Sequence, residues 1–366
     1  MPKTVLFLNL YTFSLTGGIE KVSRNFMQAL NQLGSSISSK TFSLYDQNKD
    51  FDPRYGAAQT YQAFAGNKFL FLLKSLIQAK RTDIIVLSHI NLLAIAWLVA
   101  KIYRNKRIVL MAHGIEVWRN LSAWKVNFMK QQVEIWAVSQ YTKNQLVVKH
   151  GIDQHKIYVL HNCLSPFFNP NKLGTDTSQL ANKHQLNVGT KVIFTLNRLS
   201  SSEKYKGYDK VIAALAQLKK TRSDFVYLLA GKADSMEEER IKSLIHQHQL
   251  EREVQLVGYV DDNDIDTYFA LCDLFIMPSK GEGFGIVFIE AAAAGCQVIG
   301  GGVDGSVDAL LNGELGQLVN PDDEQSIINA LQYALDTPNH NRKTQQEKTL
   351  ASFSFEQYRE KVKGLL

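Results

Sequence analysis

Two glutamates, Glu282 and Glu290, bracket a loop in which Gly281, Gly283 and Gly285 alternate with larger residues before an apolar, alanine-rich run from 286 to 294, closed by Gly295. The preceding residues 274–278 read as a buried strand and the following ones as a helix. A strand, a glycine loop and a helix in that order leave backbone N–H groups open at the helix start, and glycine lets an anion approach them. Gly283, Phe284, Gly285 and Ile286 are therefore candidate phosphate-binding residues. Carboxylates are poor phosphate ligands but good acceptors for sugar hydroxyls. At about 1.5 Å rise per residue the two glutamates stand about a nucleotide's reach apart, with the N–H groups between them. A nucleotide sugar has that layout, a diphosphate with hydroxyl-bearing rings on both sides. The plainer alternative is a capped surface helix with two solvated glutamates.

Other residues could serve the same ligand. Arg198 follows the strand 191–196 and Lys206 directly precedes Gly207. Arginine offers a diphosphate leaving group a bidentate fork and lysine a mobile point charge, unless the loop is merely basic and solvated. Lys204 competes with Lys206 for this role, and the adjacent glycine favours Lys206. His113 follows the strand 108–111, at the edge where open α/β sheets bind ligands; a packed or helix-capping histidine is the alternative. Gly17 and Gly18 sit where the first strand meets the first helix, so their backbone can face a ligand. Asp262, Asp264 and Asp266 stand ahead of Ile265, Tyr268, Phe269 and Leu271, and read as residues that cap a helix start and complement its dipole rather than as metal ligands.

These residues need strands to carry them. Residues 4–10 form a short apolar run entering a loop, after which Ile19, Val22, Phe26, Ala29, Leu30 and Leu33 recur at helical spacing. Strand, glycine loop and amphipathic helix open a doubly wound sheet. Further strands are expected at 84–87, 108–111, 134–138 and 157–160, with helices at 91–103 and 140–150. The polar segment 165–188, with Pro166, Pro170 and Gly174, is the expected interdomain boundary. A second series follows: strands at 191–196, 225–230, 254–257, 274–277, 297–299 and 316–319, with a helix at 208–220. The expected division is 1–170, 171–352 and a C-terminal helix at 353–366.

Composition fits this layout. The 366 residues, 45% hydrophobic, suffice for two domain cores. There is no run of about twenty apolar residues and no secretory leader pattern, so a cytoplasmic protein is expected. Cys163, Cys272 and Cys296 are widely spaced in apolar surroundings and read as reduced core thiols. Residues 1–170 carry 20 Lys and Arg against 8 Asp and Glu, a surplus of +12, while the remainder stands at −6. The stretch 68–81 can place Phe69, Leu72, Leu73, Leu76 and Ile77 on one helical face and Lys74, Lys80 and Arg81 toward another. That is either an interfacial helix on an anionic membrane or an ordinary core-facing helix.

Glu282-Gly283-Phe284-Gly285, with Glu290 eight positions after Glu282, resembles the E-x7-E signature of retaining glycosyltransferases of the GT-B fold, particularly family 4. The likeness covers essentially the whole chain, strongest from 191 to 321 and weaker from 35 to 105. It implies an α/β architecture of two doubly wound, Rossmann-like domains facing a central cleft. It implies a nucleotide-sugar donor, a UDP- or GDP-sugar, and a glycan or polyprenyl-linked acceptor in cell-surface polysaccharide or lipopolysaccharide synthesis. No metal or other cofactor and no nucleic acid partner is implied; a peripheral site at the cytoplasmic membrane face is compatible with it. In the family pattern Glu290 holds the ribose hydroxyls, Glu282 the donor sugar and His113 the transferred sugar. Arg198 and Lys206 compensate the leaving diphosphate. The segment 16–22 matches the family's loop near diphosphate and acceptor, which brings in Gly17 and Gly18. Departures are Asn197 for the glycine usual before Arg198, Gly114 for the aspartate usual after His113, and Asp308 where many members have glutamate. The metal-binding D-x-D motif of GT-A enzymes is matched only superficially by Asp262, Asp264 and Asp266. Rival readings are a non-catalytic nucleotide-sugar-binding protein and a GT-B sugar-nucleotide epimerase.

Overall fold

The computed structural model describes residues 2–170, 176–337 and 341–366. The chain divides into two units, Met1–Phe167 together with Phe353–Leu366, and Phe168–Ser352. That division falls inside the polar segment 165–188, of which 171–175 lie outside the described residues. The segment is not all linker, because Ser178–Lys183 is helical and His184 beyond it bonds Gln255 and the Tyr268 hydroxyl.

The first unit is built on seven parallel strands: β1 (Lys3–Asn9), β2 (Ile37–Ser43), β3 (Tyr61–Ala63), β4 (Ile84–Leu87), β5 (Arg107–Ala112), β6 (Val133–Ala137) and β7 (Ile157–Val159). Their order is β3-β2-β1-β4-β5-β6-β7. The central strands are covered on both faces, which is why Val5 to Leu8 and the whole of β4 are buried and read as unbroken apolar runs. Strands β2 and β3 were not anticipated. In β2 only Thr41, Phe42 and Ser43 are buried, and β3 is three residues long on the sheet edge, so neither carries an apolar signature.

The helix Gly18–Gln32 buries Val22, Phe26, Ala29 and Leu30, the spacing of one helical face. Each fully buried side chain of this kind contributes about 2 kcal/mol. The C-terminal helix Phe355–Leu365 lies against it and buries Phe355, Tyr358 and Val362. It is tied down by Leu164 N–H donating to the Phe353 carbonyl at 2.9 Å and by Lys3 and Arg107 donating to the carbonyls of Leu366 and Leu365.

The second unit has six parallel strands: β8 (Lys191–Leu196), β9 (Phe225–Ala230), β10 (Val254–Gly258), β11 (Leu274–Met277), β12 (Gln297–Gly301) and β13 (Gln317–Val319), in the order β10-β9-β8-β11-β12-β13. The helices Ser235–Gln247 and Glu324–Asp336 were not foreseen. In both sheets the strand order reverses beside the first strand, between β1 and β4 and between β8 and β11. Ligands of open α/β sheets bind outside the carboxyl ends of the strands at such a switch point. The loops leaving β1 and β4, and those leaving β8 and β11, therefore hold the positions where chemistry is expected. The three cysteines are buried and free. Among the described residues no helix is long and apolar enough to cross a membrane.

Candidate functional site

In the second unit the loops after β8 and β11 are locked together. Gly207 has φ +79°, and a Cβ there would stand 2.4 Å from the Pro278 carbonyl oxygen, so only glycine lets the two loops approach this closely. Lys280 N–H donates to the Tyr205 carbonyl at 2.9 Å. The contact brings Lys206, not the exposed Lys204, to Glu282: Lys206 Nζ donates to Glu282 Oε1, with the two side chains 14% and 13% exposed. Burial opposes the Lys206 ammonium, but the Glu282 carboxylate, with Tyr205 and Glu203, raises its pKa above the usual lysine value. Arg198 lies on the same loop, 70% exposed, with Nη2 at 3.3 Å from Glu203 Oε1.

Asp304 holds the glutamate loop from beneath. It is 1% exposed and accepts from Ser279 Oγ at 2.6 Å, Glu282 N at 2.7 Å and Ser306 N at 2.9 Å. Gly305 N–H returns a bond to the Glu282 carbonyl at 2.8 Å. Burial, with the nearby Glu282 charge adding to it, raises the Asp304 pKa to about 6 despite these donors. The helix Ile286–Ala293 begins at Gly285, whose φ of +85° suits glycine, and no side chain caps it. Phe284, Gly285 and Ile286 are buried and Gly283 half-buried. Glu290 is half-buried one turn beyond Ile286, in line with the helix start.

In the first unit a different aspartate shapes the loop after β1. Asp46, fully buried, accepts from the backbone N–H groups of Thr12 at 2.8 Å, Phe13 at 3.0 Å and Ser14 at 3.2 Å. The hydroxyls of Ser14, Ser43 and Tyr61 also donate to it. Burial alone would raise its pKa; the donors, Ser14 first, outweigh this and hold it below the usual carboxylate value. Arg24 Nη1 ties the same loop by donating to the Thr12 and Leu15 carbonyls. The loop delivers Gly17 as the N-cap and Gly18 as the first residue of its helix.

His113 stands directly after β5. Its Nε2 is 2.8 Å from the Ser88 carbonyl, just beyond β4. A carbonyl only accepts, so Nε2 carries the proton and Nδ1 presents a lone pair. Burial pushes the His113 pKa down to about 4, leaving the ring neutral at pH 7. Its backbone N–H donates to Glu116 Oε1 at 2.6 Å, and burial raises the pKa of Glu116.

Sequence reasoning did not single out Asp46, Asp304 or Glu116. For Asp304 a local signal exists, since its side chain bonds the N–H two residues on, an Asx turn set by the order Asp304-Gly305-Ser306. The neighbouring Asp308, thought to occupy a glutamate-like position, lies in the short helix Ser306–Ala309. The acidic run at 262–266 does start a helix, Ile265–Leu271, with Asp264 at the N-cap. Its side chain makes no capping bond there; a backbone turn from Asp261 closes the end instead. Among the described residues no group of three or more His, Cys, Asp or Glu is placed to hold a metal ion.

Two parallel sheets with their switch points, and a glycine loop whose first glutamate pairs with a largely buried lysine, define a class. The family model described as Glycosyltransferase Family 4 matches residues 16–166 and that described as Glycosyl transferases group 1 matches 176–350. The chain belongs to the two-domain GT-B fold glycosyltransferases, with a family 4 domain followed by a group 1 domain. Among individual proteins it is 29% identical over 133 residues to a glycogen synthase of Mycobacterium tuberculosis, covering 36% of this chain and 32% of that one. The match thus spans about a third of the glycogen synthase. An uncharacterized 41.2 kDa protein in the cps region of Klebsiella pneumoniae is 22% identical over 329 residues, 86% of each chain. The solved structure of Anabaena Alr3699/HepE in complex with UDP and glucose superposes with a TM-score of 0.80 at 20% identity, over 99% of both chains.

Proposed function

We propose that this protein transfers a sugar from a UDP- or GDP-sugar to a hydroxyl of a glycan or lipid-linked glycan, with retention of configuration and without a metal ion. The observation that carries the reading is the joining of the β8 and β11 loops, which sets Lys206, Glu282 and the start of the Ile286–Ala293 helix beside one another at a switch point. The UDP and glucose bound to the Anabaena protein of the same fold support a nucleotide-sugar donor. The near full-length likeness to the protein of the Klebsiella cps region supports an acceptor in cell-surface polysaccharide or lipopolysaccharide synthesis.

As the sugar–phosphate bond loosens, negative charge gathers on the departing diphosphate. Arg198, Lys206 and the N–H groups of 283–286 compensate it, and such preorganised charge is the largest contribution a site of this kind makes. Lys206 must exchange its Glu282 partner for phosphate, which frees the Glu282 carboxylate to accept from the donor sugar. Glu290 accepts from the ribose, and the backbone of the Gly17-Gly18 loop is assigned to the acceptor. We assign the neutral His113 to a hydroxyl of the transferred sugar, which its Nδ1 lone pair accepts. The leaving phosphate takes the acceptor's proton on the same face, so no protein nucleophile is required.

The test is nuclear magnetic resonance of the reaction with a panel of UDP- and GDP-sugars in excess EDTA. The expected result is consumption of one donor and a product with that donor's anomeric configuration. An inverted product, an absolute need for added Mn²⁺ or Mg²⁺, or binding without turnover of any donor would overturn the reading.

A further inference from the structure

Among the described residues two carboxamides, those of Asn9 and Asn197, have both nitrogen and oxygen shut off from solvent and without a hydrogen-bond partner. Their places correspond. Asn9 ends β1 and Asn197 directly follows β8, so each stands at the carboxyl end of the strand beside which its sheet reverses order. Buried amides are normally bonded, and one left open costs stability. That both open ones fall at the two switch points, where open α/β sheets take ligands, points to a use for them.

Asn9 is completely enclosed. Asn197 is half-buried, and the side chain of Arg198 beside it is 70% exposed, so Asn197 is the one a ligand can reach. Its backbone is fixed. The N–H donates to the Ala230 carbonyl at 3.1 Å, and a Cβ on Gly231 would stand 1.6 Å from the Asn197 carbonyl oxygen, so the loop after β9 is seated directly on it. No shift of the main chain can bring the carboxamide to a protein partner. Two residues earlier the same strand satisfies a polar side chain fully: the Thr195 hydroxyl donates to the Ile276 carbonyl and accepts from the Tyr227 hydroxyl at 2.8 Å. Asn197 is left open in the loop that carries Arg198 and Lys206. A carboxamide has a donating nitrogen and an accepting oxygen. A sugar joined to a diphosphate presents a partner for each side by side, a phosphate oxygen and a hydroxyl.

We infer that Asn197 is a donor-binding residue, its Nδ2 donating to a diphosphate oxygen and its Oδ1 accepting from a hydroxyl of the transferred sugar. The inference rests on the nucleotide-sugar reading above and adds to it a side chain that the family pattern does not supply, since glycine is usual at this position. An amide kept open in this way destabilises the empty protein and stabilises the complex.

Melting and calorimetric titration of the full chain test it, with UDP-glucose, UDP-galactose, UDP-N-acetylglucosamine and GDP-mannose as probes. Without nucleotide, Asn197→Ala melts about 2 °C or more above the wild type, because two unpaired polar atoms are removed. The variant binds whichever of the four the wild type binds at least about tenfold more weakly. Asn197→Asp, of nearly the same shape, weakens binding further, since a carboxylate cannot donate to a diphosphate and repels it. Equal affinity of wild type and Asn197→Ala would overturn the inference and leave the transfer reading standing. So would a melting temperature of Asn197→Ala at or below that of the wild type, which would mean that the amide is bonded in the empty protein. A wild type that binds none of the four would overturn both.

Discussion

Each unit holds the loop at its switch point with a buried aspartate, yet the two aspartates are solvated by the protein in opposite ways. Asp46 accepts from three backbone N–H groups and three hydroxyls, drawn from β2, β3 and the loop it fixes. Asp304 has three donors and shares its surroundings with the Glu282 charge. The first carboxylate is more acidic than usual and the second less so. The difference follows from what each loop carries. The loop after β1 presents glycine backbone, so its anchor can be optimised for stability. The loop after β11 presents a carboxylate paired with a lysine, and that nearby carboxylate charge makes its anchor electrostatically costly.

If that contrast is right, a change in the charged loop of the second unit alters rate and leaves stability alone. Arg198→Ala lowers kcat by about a hundredfold to a thousandfold, the usual loss when one group compensating transition-state charge is removed. The melting temperature stays put, because the Arg198 side chain is 70% exposed. A steady-state assay with parallel melts checks both; an unchanged kcat would remove Arg198 from the site.

The first unit responds in the reverse manner. Asp46→Ala leaves six donors without their acceptor, three of them backbone groups, and lowers unfolding stability by about 3 kcal/mol. Urea unfolding followed by tryptophan fluorescence measures it. A loss below about 1 kcal/mol would show that water replaces the carboxylate and that the loop is not anchored as described.

The smallest effect is a pH dependence of opposite sign at the two anchors. The folded-state pKa of Asp304 is raised from 3.8 to about 6, so the folded chain binds its proton more tightly than the unfolded one. Its contribution to stability is fully present below 3.8 and is lost as pH rises through 6. Relative to Asp304→Asn, the wild type gains about 1 kcal/mol on going from pH 7 to pH 5. Asp46, with its pKa below 3.8, contributes stability above that value and loses it only as pH falls through its lower folded pKa. Parallel urea titrations of wild type and Asp304→Asn at the two pH values would show this; parallel pH curves would contradict it.

Both anchors also mark where reading the sequence stops. The placement of Glu282 in a loop, of Glu290 in a helix and of Arg198 and Lys206 beyond β8 was legible because local spacing encodes it: a strand, a loop and a helix fix where each side chain emerges. The central strands were legible because burial on both faces demands continuous apolar residues, as in Val5 to Leu8 and Leu274 to Met277. Strand β2 escaped because Ile37-Ser38-Ser39-Lys40 faces solvent at one end and offers no such run. Asp46 bonds backbone groups 32 to 34 residues away and Asp304 one 22 residues away, so their purpose exists only after the sheets have formed. The helix at 68–79 shows the same limit, since its apolar residues are compatible with either face being inward and packing alone selects Phe71, Ser75 and Ala79.

The central claim is that the second unit binds a nucleoside diphosphate through Glu290 and the loop held by Asp304. Calorimetric titration of UDP and of GDP, in EDTA, into the wild type and into Glu290→Ala tests it most directly. The account predicts that one of the two binds the wild type saturably and binds Glu290→Ala at least about tenfold more weakly, the worth of a charged hydrogen bond to a hydroxyl. Equal affinity for both proteins, or no binding of either nucleotide to the wild type, would contradict it.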